Sequence, residues 1–441
     1  MKLRGLIVAA IVLAALTGAL YWSDRHKPAD TTEASADAAQ KILAVKQADI
    51  SKFDLKKNGA EQVGGERNSA GQWRITAPTP LAADQSAVSS LLGTFSSLDS
   101  ERLVDEKAGN LAPYGLNAPN LEVDLTERTN KTHKLLLGDD TPAGNGIYAK
   151  LDGDPRVFTI PKFDQTSIDK SANDLRDKRL LTVAPDKISQ VDLVAKKQDI
   201  AFSRNKDEWQ IVKPKPLRAD GAEVDGLVRA LTDAKMELDA SDDPKKTASA
   251  FASGTPVATA KVTAESGTQE LQVRKNKDDF YAKSSAVDGI YKVQNTLGQA
   301  LDKGLEDFRN KKLFDVGFDD PNKIEIRNGS KTYSLTRSGQ DWWSGSAKKM
   351  DAGTVQELID KLRDLLASKF VDSGFTAAAP IDLTITSNDG KRVEKVAISK
   401  AGDNYIAKRE NDAALYQIDS KTVDDLRKSA DDVKPAAAPG K

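Results

Sequence analysis

Ser346-Ala347-Lys348-Lys349 and Ser167-Ile168-Asp169-Lys170 each place a serine three residues ahead of a lysine, the spacing at which a lysine amine can take the proton of a nucleophilic hydroxyl. Such a signature counts only with its partners in place, and no Lys-Thr-Gly exists in the chain. Adjacent carboxylates occur at Asp139-Asp140, Asp242-Asp243, Asp319-Asp320 and Asp431-Asp432. Paired acids can share a proton or hold a hard cation. None of these has the alternating acidic spacing of a calcium loop, and their turn context makes them solvated. The two histidines, His26 and His133, are too few for a His-based metal site, and His133 reads as an exposed hairpin residue. With no cysteine there are no disulfides, thiolate zinc sites, iron–sulfur clusters or cysteine nucleophiles. The glycine-framed serine elbow and the phosphate-cradling glycine loops are also missing. The expectation is no catalytic residue, no cofactor, no metal site and no enzymatic activity.

Aromatic residues are the remaining candidates. Trp342-Trp343 is a doubled tryptophan where the rest of the chain repeats a single one, so Trp342 and Trp343 are the candidate binding residues. Trp73, Trp209, Tyr148, Tyr281 and Tyr405 recur with the scaffold and are assigned to it, as are Asp84, Asp220 and Asp351.

The elements that carry these residues come in three copies. Asp84 is followed by Val88, Leu91, Leu92 and Phe95; Asp220 by Val224, Leu227, Val228 and Leu231; Asp351 by Val355, Leu358, Ile359 and Leu362. The shared offsets of 4, 7, 8 and 11 trace one apolar helix face, with the Asp at the N-cap. Upstream, Arg67, Arg204 and Arg337 precede the tryptophans across turn-forming residues. The first two copies run on as Trp-x-Ile into Pro-x-Pro-Leu, ending at Leu81 and Leu217. Downstream lie alternating strands around Ile147-Tyr148-Ala149-Lys150, Phe280-Tyr281-Ala282-Lys283 and Tyr405-Ile406-Ala407-Lys408. Each copy closes on Asp174-Leu175-Arg176, Asp307-Phe308-Arg309 or Asp425-Leu426-Arg427. The tryptophans stand 136 and 133 residues apart, enough for each copy to hold its own core.

The expected fold class is therefore α+β. Three tandem repeats of an antiparallel sheet, each packed with one long helix, follow one N-terminal transmembrane helix. Residues 1–5 form a cytoplasmic end. The uncharged run Leu6–Trp22 reads as a signal anchor, with a cleaved signal peptide at Thr17-Gly18-Ala19 as the competing reading. Residues 23–45 are a flexible spacer, and the repeats cover 46–181, 182–314 and a divergent 315–433. Residues 434–441 are a disordered tail.

Of 441 residues, 65 are Lys or Arg and 66 Asp or Glu, so bulk charge gives no case for nucleic acid. The leading anchor, the Trp-x-Ile to Pro-x-Pro-Leu run, the Ala-Asp-x₃-Val helix start and Ile-Tyr-Ala-Lys together resemble a bacterial family called "domain of unknown function 4340". The resemblance is good over Ile50–Phe314 and weaker in the third copy. It implies a protein of the bacterial cytoplasmic membrane whose bulk is periplasmic or otherwise extracytoplasmic. The partners it implies are the membrane, through Leu6–Trp22, and ABC-type transporter subunits. The functional expectation is a non-enzymatic accessory or scaffold protein. The alternative is a binding module for cell-wall glycan, lipid or peptide, and an envelope hydrolase ranks last.

Overall fold

A computed structural model describes residues 41–206, 208–239, 243–316, 321–377 and 380–437. The chain divides into two compact units, one ending at Asp177 and one beginning at Lys178.

The first unit holds a nine-stranded antiparallel sheet. Its spatial order is Leu81–Ala82, Trp73–Ala77, Val63–Arg67, Ile50–Lys57, Leu121–Glu127, Thr132–Asp140, Gly146–Leu151, Val157–Pro161 and Arg102–Asp105. A meander of four strands forms one half. The chain then crosses back through helix α1 (Gln85–Ser96), and a second meander forms the other half. The halves meet where Phe53 pairs with Leu125.

The second unit holds two eight-stranded sheets built on the same plan. In one, the first strand Ile188–Ala195 pairs with Thr255–Ala264, and helix α2 (Gly221–Thr232) makes the crossing. In the other, Pro321–Asn328 pairs with Ile381–Ser387, and the crossing helix is α3 (Ala352–Arg363).

In all three helices the residues at offsets 4, 7, 8 and 11 from the capping Asp are buried. The capping carboxylates accept backbone N–H groups: Asp84 from Ser86 and Ala87, Asp220 from Ala222 and Glu223, Asp351 from Thr354. Each capping residue also closes its repeat. The amide of Asp84 donates to Leu175 O at 2.8 Å, that of Asp220 to Phe308 O at 2.8 Å, and that of Asp351 to Lys434 O at 2.9 Å. A strap opens each repeat in the same way: Ile42 N donates to Leu98 O, Leu180 N to Ala234 O, and Leu313 N to Leu365 O.

The expected sheet-plus-one-long-helix fold is corrected. Among the described residues the protein is mostly antiparallel β-sheet, with 44% strand against 24% helix. The crossing helices have only 12 residues each. Such a helix is about 18 Å long, whereas eight strands at about 4.8 Å spacing span about 38 Å. One helix cannot cover that face, so shorter helices such as Lys162–Ile168 and Asn295–Leu301 and the straps share the work. The expected transmembrane helix finds no support among the described residues. Leu6–Trp22 lies outside the described residues, and among the described residues no helix is long and apolar enough to cross a membrane.

The limits of the copies also move. Ile42, Leu43 and Val45, inside the expected spacer, are buried in the first core, where they match Leu180-Leu181-x-Val183 and Leu313-Phe314-x-Val316. The boundaries near 181 and 314 therefore fall a few residues too late, because those apolar pairs belong to the copy that follows. The tail begins later than 434: Lys434 accepts from Asp351, and Ala436 N donates to Lys349 O.

Candidate functional site

The spacings that could do chemistry are not brought into working geometry. Lys349 pairs with Asp341 at 2.9 Å, while the Ser346 hydroxyl meets that of Ser344 at 3.0 Å. In the other signature, Ser167 donates to Phe163 O and Lys170 to Thr166 O. Among the acid pairs, Asp140 sits on Lys162, Asp243 caps Lys245 N, and Asp431 binds Lys331 and Tyr333. Asp242, Asp319 and Asp320 lie outside the described residues. Among the described residues no group of three or more metal-binding side chains gathers.

Trp342 and Trp343 do not form one surface. Neighbours along a strand point to opposite faces, so Trp342 is buried in the core while Trp343 is 36% exposed on an edge strand. Trp73 and Trp209 are buried like Trp342, under the guanidinium groups of Arg67 and Arg204 at 5.0 and 5.5 Å. The same parity separates the tyrosines. Tyr148 and Tyr281 are half-buried, while Tyr405 stands at the inward register of Ile147 and Phe280 and takes Arg427 on its hydroxyl. The closing triplets are not equivalent either. Leu175 and Phe308 lie in short final helices, whereas Leu426 lies inside the longer helix Ser420–Asp431.

Among the described residues a dense polar cluster stands out that sequence reasoning misses. It lies in the second unit, where Arg218 from the second copy meets the strap and sheet of the third. Arg218 holds Asp315 through one guanidinium nitrogen and donates through the other to Lys312 O at 2.8 Å and to the Tyr416 hydroxyl at 3.2 Å. Arg409 donates to Leu313 O and binds Glu394 at 2.9 Å. Glu394 accepts the Asp315 amide and lies 3.4 Å from Arg392. Tyr416 donates to Asp412. Three guanidiniums face three carboxylates, so the cluster is neutral.

Register shows how the cluster arose. Glu394 occupies the place that Gln269 has in the second copy, and Arg409 that of Ser284. There the same strap is held by neutral groups: Gln269 brackets Thr182, and Ser284 donates to Leu180 O. The first copy has His133 at this register, 2.7 Å from Glu127. His133 is therefore a largely buried, paired residue, in place of the exposed one expected. Its contact lowers the Glu127 carboxyl pKa. The legible signal was Glu394 itself, a carboxylate in phase with inward-facing Val396 and Ile398.

These groups clamp the strap of the third copy. Burial, and then the hydrogen bond to Asp412, push the Tyr416 phenol up to about 12. An unfolded tyrosine ionises near ~10. The folded form therefore favours the neutral phenol, a contribution complete below about pH 10 and lost as pH rises through about 12. In phenolate absorbance titration of the eight tyrosines, where the Tyr114 and Tyr333 phenols are also raised, the last group to ionise should be Tyr416, together with loss of structure. Tyr416→Phe should remove that late step; its persistence would reassign it.

A family model described as "Domain of unknown function (DUF4340)" matches residues 73–210 and again 209–384. The matches repeat with the structural period but out of phase, each beginning at a hairpin tryptophan rather than at a strap. No curated protein and no solved structure matches the chain.

Proposed function

The chain belongs to the DUF4340 family, and from that premise we propose that it is a non-enzymatic accessory protein that docks envelope partners outside the cytoplasm. The partner class is an ABC-type export system at the cytoplasmic membrane. The observation that carries this reading is the neutral clamp around Arg218, Asp315, Glu394 and Arg409. Its charged groups bind one another and the strap of the third copy, which suits a scaffold that must hold its modules in a set relation. The chain's lack of cysteine and the uncharged run Leu6–Trp22 support the location.

Affinity purification of the intact chain from a detergent-solubilised membrane fraction tests the proposal. Co-recovery of transporter subunits is the expected result. Their absence, with the chain itself recovered folded, would overturn it.

A further inference from the structure

The first and second copies end alike, in Ser171-Ala172-Asn173-Asp174-Leu175-Arg176 and Gly304-Leu305-Glu306-Asp307-Phe308-Arg309, each a four-residue helix with its last apolar residue buried. They differ at the helix's first position. In the second copy Leu305 packs against the core, and its amide donates to Gln198 Oε1 at 2.7 Å. Gln198 reaches it because only Lys196 and Lys197 separate the first two strands. In the first copy the helix starts with Ala172, and residues 58–62 make a longer turn. The result is a cleft of about 620 Å³ in the first unit, floored by Leu55, Val63, Leu81 and Leu121.

We infer that this cleft receives an aliphatic side chain, of leucine size, carried by a partner polypeptide. The second copy supplies the reason for the side chain, since its own leucine occupies the matching place. The rim supplies the reason for the polypeptide. Lys57, Lys170 and Arg176 are balanced by Glu61, Asp169 and Asp174, and the Lys57–Asp169 pair stands at 2.6 Å. A rim neutral in sum but rich in donors and acceptors suits an uncharged backbone. A lipid chain laid there would strip water from those groups and return no hydrogen bonds. The inference rests on the docking reading for its occupant and adds the chemistry recognised.

The test uses the full chain and a dansyl-labelled, capped peptide, Gly-Leu-Ser-Leu-Gly, followed by fluorescence. Saturable binding is expected, weakened about tenfold or more when both leucines become serine, the factor that burying one leucine side chain can supply. Ala172→Leu, which copies the second repeat and lays a leucine over the apolar floor, should weaken binding as much. Ala172→Ser, which leaves it open, should retain binding and show that the position tolerates change. Equal binding by Ala172→Leu, no preference over the serine peptide, or binding of octyl glucoside in place of the peptide would overturn the inference. If the peptide fails while the intact chain still recovers partners, the cleft falls and the docking reading stands. If it binds and no partner is recovered, the docking reading falls alone.

Discussion

Arg409→Met is expected to destabilise the third copy by about 3–5 kcal/mol, the usual consequence of removing one partner from a buried ion pair. Glu394 has only 8% of its surface exposed and Arg409 12%. The substitution leaves the carboxylate with Arg392 and the Asp315 amide and takes the donor from Leu313 O. A domain's whole stability is about 5–15 kcal/mol, so the loss should show as early urea unfolding of residues 311–437 by amide exchange. Adding Glu394→Gln, the residue of the second copy at this register, should return part of the loss because no buried carboxylate is stranded. Strict additivity of the two changes would mean that the clamp is not a coupled unit.

The second large effect is steric. In the first copy Phe53 lies opposite Gly65, in the second Val191 lies opposite Phe202, and in the third Ile324 lies opposite Leu335. Each pair fills one gap with a different division of volume. A Cβ at Gly65 would stand 2.3 Å from the Phe53 ring, so Gly65→Phe should cost about 3 kcal/mol or more through overpacking. Phe53→Val should cost about 1–3 kcal/mol through the space it leaves, less than truncation to alanine. Together they install the second copy's pair, and the double variant should lie within about 1.5 kcal/mol of the parent. Trp73, whose ring centroid is 5.4 Å from that of Phe53, reports the transition by fluorescence. A double variant no better than Gly65→Phe would deny that the copies share one packing plan.

What could be read from the sequence was local and periodic. The buried faces of α1, α2 and α3 were legible because one element carries the whole pattern, and a carboxylate four residues ahead of each marked its start. Internal repetition was legible for the same reason. The weight of strand over helix was not, because strands as short as Leu81–Ala82 and Leu217–Arg218 carry no period of their own. The straps were missed because three apolar residues such as Ile42, Leu43 and Val45 give too short a pattern beside a polar stretch. The tryptophan pair misled because adjacency in sequence means opposition in a strand. The clamp was hidden most deeply: Arg218, Asp315 and Glu394 are far apart along the chain, and only pairing register brings them together.

The central claim is that one strap–sheet–helix unit is built three times, each closed by the amide of its capping aspartate. Residue-resolved hydrogen exchange of the intact protein measures this directly at Asp84, Asp220 and Asp351. The account predicts that all three amides are protected well above exposed turn residues, because each is bonded to a carbonyl at the far end of its own copy. Exchange of any one of them at the rate of an open turn would contradict it.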